Sequence, residues 1–150
     1  MEIRTLSKQD VEKEPYLVWN ALVDLLAIES YEDLSEEQRA THLVCWYESE
    51  VQNGGHLQYF ENRKGLHLSE TLTALGVLKA NCQQKVLQDA ADLFFSRQRT
   101  PIQTPEEYIT IALKEEFSEL DSRFHECSPS LTECLEAYLQ HHQSSLVIVN

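Results

Sequence analysis

A chain of 150 residues suits one domain and can bury a core without staples, so a single domain over residues 1–150 is expected. Its 25 acidic against 12 basic residues give −13 at pH 7, which disfavours direct binding to nucleic acid or to an anionic membrane, since both need basic patches. The apolar run around "ALVDLLAI" is interrupted by Asp24 and is too short to cross a bilayer, and "MEIRTLSKQDVEKE" lacks a secretory apolar stretch, so a cytoplasmic protein is expected.

Pro15 opens a segment in which Val18, Leu22, Leu25 and Leu26 recur at helical spacing, predicting a core-facing helix that ends near Ile28. Ser35 and Gln38 form a capping box ahead of a second stripe, Ala40, Leu43, Val44, Tyr47 and Val51, which runs straight into Asn53-Gly54-Gly55. A short helix is expected around "SETLTAL", followed by a longer one marked by Leu87, Ala90, Ala91 and Phe94, with Gly76 separating the two or packing them closely. "TPEEY" repeats the start signal, with Thr104 as N-cap and Pro105 at the first helical position, and Ile109, Leu113, Leu120 and Phe124 then mark one face. A last helix opens at Ser130, buries Leu131, Cys134, Leu135, Tyr138 and Leu139, and ends near His142.

No segment shows sustained period-two alternation between hairpin turns. The fold class is therefore all-α, a single compact domain of about six or seven helices. The β-rich run "LVIV" at 146–149 is a tail that is frayed, docked or used in self-association. Cys45, Cys82, Cys127 and Cys134 are spaced like neither a zinc site nor a disulfide framework, and they are expected as reduced, mostly buried thiols.

"EVQNGGHLQYFEN", residues 50–62, places a carboxylate, side-chain amides, two adjacent glycines and two aromatics at one corner. Gly54 after Asn53 suits a left-handed helix end, and Gly55 lets the chain turn at once into a second short helix. Glu50 is then expected near the exposed N–H groups of that helix, where a carboxylate is favoured. Gln58 and Asn62 lie four apart on one face, where their amides can tie the loop, while Tyr59 and Phe60 anchor the corner in the core. An enzymatic reading would use Glu50 and His56 as an acid/base pair, or converge His42, His67 or a cysteine on a metal. No HExxH, CxxC or GxxxxGK spacing supports it, and the "HH" at 141–142 reads as a polar helix end. No catalytic residue, metal or cofactor is assigned.

The corner, followed by "ETLTALGVLKA" and later by "ELDSRF", resembles a bacterial helical domain family, largely of unknown function, with a Glu-x-x-Asn-Gly-Gly-x-x-Gln-aromatic-Phe-x-Asn core. Matching positions are Glu50, Asn53, Gly54, Gly55, Gln58, Tyr59, Phe60 and Asn62; His56 departs from the aromatic or aliphatic residue often found there. One member of that family is a DNA mimic, an acidic dimer that occupies the DNA-binding face of a transcription factor. The resemblance implies a helical fold, a basic protein partner such as a DNA-binding regulator, and a homodimer.

The charge is distributed as −8 over residues 1–60, +2 over 61–99 and −7 over 100–150, a polarised field that bears on partner choice. Two acidic arrays are candidates for phosphate-like display. Glu29, Glu32, Asp33, Glu36 and Glu37 cluster at one turn and helix start, and Glu115 and Glu119 stack four apart on one helix, with Glu116, Asp121 and Glu126 nearby. The alternative is a generic regulatory or immunity-type binding module, which shares the acidic surface without phosphate-like geometry.

Overall fold

Three side-chain caps set where three of the helices begin, as the sequence predicts. In the computed structural model, which describes residues 4–150 except residue 29, with the side chains of residues 25–28 and 145 also outside the description, Ser35 and Gln38 form a reciprocal box. The Gln38 N–H donates to Ser35 Oγ at 3.2 Å and the Ser35 N–H to Gln38 Oε1 at 2.9 Å, opening α3 (Glu36–Arg63). Thr104 and Ser130 cap α6 (Pro105–Ala112) and α8 (Leu131–His141) through the Glu107 and Glu133 N–H groups. The remaining helices are α1 (Lys8–Lys13), α2 (Leu17–Ile28), α4 (Leu68–Val77), α5 (Asn81–Phe94), α7 (Ser118–Glu126) and α9 (Gln143–Leu146), with a 3-10 turn at Tyr31–Asp33.

The all-α class holds. Strand is confined, among the described residues, to β1 (Arg4–Leu6) and β2 (Val147–Val149), which pair in parallel with Thr5 opposite Ile148. The tail is therefore docked, because the β-branched "VIV" finds a strand partner at the other end of the chain. Parallel strands need a long crossover, and here the whole helical body supplies it.

Helix α3 is the central element, packed against α4, α7, α8 and α9. Its expected stripe of Leu43, Val44, Tyr47 and Val51 is buried, Ala40 is half-buried, and Phe60 continues the stripe beyond the corner. Phe60 stacks on Phe94 of α5 at 4.8 Å and lies 6.2 Å from Phe117, so the rings join α3, α5 and the start of α7. The stripes read for α5 and α8 are buried as predicted. Gly76 lies inside α4 and lets α5 approach: a Cβ there would stand 2.9 Å from Gln84 Nε2, which donates to the Leu72 carbonyl. No helix among the described residues is long and apolar enough to cross a membrane.

Two expectations are corrected. The segment after Thr104 is two helices instead of one. It breaks at a turn where Glu115 takes φ 54°, leaving Ile109 and Leu113 exposed while Leu120 and Phe124 are buried. Glu115 and Glu119 therefore do not stack on one helix. The second correction concerns the cysteines, because Cys82 at the start of α5 and Cys127 after α7 are joined in a disulfide. Cys45 and Cys134 are free, half-buried and buried respectively, and burial holds both thiols above their ordinary range, Cys45 at about 12.

Candidate functional site

The corner at residues 50–62 is a kink inside α3, and its glycines divide the work differently from the sequence expectation. Gly54 has φ −148° and Gly55 has φ 74°, so the positive φ belongs to Gly55. Gly54 serves close approach: a Cβ there would meet the Gln58 side chain, at 2.8 Å from its Cβ. At Gly55 a Cβ would meet the Asp121 carboxylate, 2.9 Å from its Cγ.

Two hydrogen-bonded groups meet at this kink. In the first, Glu50 Oε2 accepts from Gln58 Nε2 at 3.0 Å and from Asn62 Nδ2 at 2.8 Å, while Asn53 Nδ2 donates to Gln58 Oε1 at 3.2 Å. Glu50, Asn53, Gln58 and Asn62, read as one motif in the sequence, do converge. Glu50 reaches the next helical arm through side-chain amides; the backbone N–H there belongs to another residue. Tyr59 is buried, edge-on to Tyr47 at 5.1 Å.

The second group crosses 65 residues. Asp121 Oδ1 accepts from the His56 backbone N–H at 2.9 Å and from His56 Nδ1 at 2.7 Å, and His56 Nε2 lies 2.8 Å from the Tyr47 hydroxyl. His56 is fully buried, so each ring nitrogen must be satisfied within the protein. Burial holds the Tyr47 hydroxyl well above its ordinary range, with Tyr59 and Asp121 adding to it. A carboxylate only accepts, so the Nδ1–H donates to Asp121; a neutral imidazole bonded this way accepts at Nε2, where the Tyr47 hydroxyl, kept protonated by burial, is the donor at hand. Asp121 occupies the place expected for Glu50, a carboxylate on a free N–H at the start of a helical arm.

The Glu50–His56 pair of the enzymatic reading does not form. Each member is bonded to other groups. His42 and His67 instead flank Tyr31, with ring centres at 6.0 and 4.2 Å, and His42 is held below its ordinary range by burial, then by Arg63 and His67. His142 stacks on Tyr138 at 4.2 Å. Among the described residues, no group of three or more His, Cys, Asp or Glu side chains is placed to hold a metal ion. The chemistry of the corner is that of a joint whose polar groups satisfy one another.

Residues 32–142 match the model of a family described as DMP19-like protein. The chain belongs to that family. The match spans α3 to α8 and so includes the kink and α7, which brings Asp121 to it. No curated protein and no solved structure matches the chain.

The acidic residues sort into engaged and open ones. Glu116 is held by Arg99 through Nη2–Oε1 at 2.6 Å and Nη1–Oε2 at 2.9 Å, with Arg97 at 3.1 Å. It sits below the ordinary carboxylate range, first through the Arg99 hydrogen bonds. Asp121 is engaged by His56, and Asp33 accepts from the Ser30 hydroxyl at 2.8 Å. Glu32, Glu36, Glu115, Glu119 and Glu126 are exposed, Glu37 is half-buried, and none of these six carboxylates has a hydrogen-bond or ion-pair partner among the described residues. Glu29 lies outside the described residues. Sequence reading missed Glu70, which α4 brings beside Glu36 and Glu37 on one groove; no local pattern links residues more than thirty positions apart.

Proposed function

We propose that this DMP19-like chain is a protein-binding domain that presents carboxylates to a basic partner and competes with DNA for that partner's surface. The observation that carries this reading is the set of open carboxylates at Glu32, Glu36, Glu37, Glu115, Glu119 and Glu126, which have no cation partner among the described residues in a chain of net charge −13. Such groups attract a cationic surface at long range and pair with it on contact, supplying association rate and specificity. The resemblance to a family with a DNA-mimic member supports the same direction. The corner contributes indirectly, by fixing the angle between the two arms of α3 and so the spacing of the acidic elements around it.

The test uses the full chain, immobilised to capture a partner, and then measures that partner's binding to labelled duplex DNA with and without the free chain. Competition is expected, with an affinity that falls steeply between about 50 and 200 mM salt, as for phosphate-like contacts. A partner that binds the chain and DNA together would leave a generic binding module and remove the mimic.

A further inference from the structure

Resting on that protein-binding reading, we infer that the partner's arginine or lysine side chains enter the groove between the first arm of α3, α4 and the end of α8. The groove has a volume of about 630 Å³, within the roughly 300–1,000 Å³ usual for ligand pockets. Buried Leu43 and Ala74 give it an apolar floor, half-buried Ala40 and exposed Val77 add to the apolar lining, and Glu36, Glu37 and Glu70 line it as well. A long cationic side chain has the complementary form, a methylene stem ending in a charge, so the stem lies on the floor while the head meets a carboxylate.

The electrostatics of the groove favour that occupant. Arg39 is the one arginine or lysine among its lining residues, and its guanidinium is already committed: Nε donates to the Tyr31 carbonyl at 3.1 Å and Nη2 to the Glu32 carbonyl at 2.6 Å. The three carboxylates have no hydrogen-bond or ion-pair partner among the described residues. Their field reaches the far wall, where Tyr138 is held above its ordinary range by burial and then by Glu37 and Glu36. The rings are already occupied, Tyr31 by the Arg39 guanidinium at 5.2 Å and by His67 at 4.2 Å and the buried Tyr138 by His142 at 4.2 Å, so the carboxylates are the groups left to meet a partner. A planar guanidinium can pair with a carboxylate through two parallel N–H donors, so arginine fits better than lysine. Among the open acids on and around α7, Glu115 lines a smaller cavity of about 160 Å³ whose other carboxylates, Glu116 and Asp121, are already engaged, and Glu119 and Glu126 are exposed on α7.

The probe is a labelled twelve-residue helical peptide with arginine at every third or fourth position, added to the full chain, with backbone amide shifts followed by NMR. Shifts concentrated at Ala40, Leu43, Thr73, Ala74 and Val77 are expected. Glu36→Gln, Glu37→Gln and Glu70→Gln combined should weaken binding about tenfold. Val77→Lys, at a position 53% exposed and so tolerant of a longer side chain, should abolish groove binding while circular dichroism stays unchanged. The matching changes at Glu115, Glu119 and Glu126 should alter affinity less than about twofold. Binding that responds only to this second set would overturn the groove and leave the basic-partner reading standing, whereas no binding of the peptide even at low salt would overturn both. Concentration-dependent shifts at the groove without peptide would assign it to a second copy of the chain and overturn the inference.

Discussion

Gly55 is the residue on which the kink turns. Its φ of 74° and ψ of −173° lie in a region open essentially to glycine alone, and a side chain there would also push against Asp121, which holds His56. Gly55→Ala should therefore cost about 1–3 kcal/mol in urea denaturation. Gly54→Ala should also destabilise the protein, but by crowding Gln58 instead of by left-handed strain, and a partner change Gln58→Ala should recover part of the loss. An unchanged urea midpoint for Gly55→Ala would show that the backbone can relax around a methyl group. The asymmetry between two adjacent glycines was not legible in "NGG". Only the positions of Gln58 and Asp121 separate their roles.

At the scale of elements, long-range pairs hold α5 against the α6–α7 turn. Arg99 is stacked over Phe94 at 4.7 Å and Phe117 at 5.6 Å while it clamps Glu116, so one side chain closes both an ion pair and the aromatic cluster. Because Arg99 holds the folded pKa of Glu116 below its unfolded value, the pair's stabilisation is complete above about pH 4.5 and is lost as pH falls through the lowered folded value. Arg99→Gln should cost about 2 kcal/mol near neutral pH, and the difference from the unaltered chain should shrink below pH 4.5 in thermal melts. A constant difference at all pH values would assign the loss to ring packing alone.

The same helices are joined by Cys82–Cys127, which closes a loop with a sequence separation of 45. A cross-link over such a loop is worth about 2–4 kcal/mol, mainly by restricting the unfolded chain. Cys82→Ser, or reduction with dithiothreitol, should lower the melting temperature by a similar amount in each case, and no additional loss should follow when the variant is reduced. A reducing compartment would keep these thiols apart, so the bond ties the stability of the α5–α7 contact to redox conditions.

At the scale of the whole molecule, an excess of thirteen negative charges repels itself in the folded state. Moderate salt, up to about 0.5 M sodium chloride, should raise the melting temperature by screening that repulsion, while it weakens capture of a basic partner. A melting temperature that falls with salt would mean that pairs such as Arg99–Glu116 and Arg123–Asp89 outweigh the net charge. The β1–β2 pair gives the molecule a second global property. It binds the two ends of the chain together, with the Asn150 N–H donating to the Leu6 carbonyl at 2.9 Å, so removal of either strand should release both.

The starts of α3, α6 and α8, the buried stripes of α3, α5 and α8, the kink at residues 53–55 and the sign of the surface charge follow from the sequence alone. Each depends on residues within a few positions of one another, where capping, periodicity and glycine conformation act locally. The partners were decided only by tertiary structure. His56 meets Asp121, Arg99 meets Glu116, Cys82 meets Cys127, and Glu70 joins Glu36 and Glu37, all across separations at which packing determines proximity. The break between α6 and α7 belongs to the same class. The stripe from Ile109 to Phe124 reads as continuous, yet burying Phe117 and clamping Glu116 stabilises a turn that no glycine or proline announces.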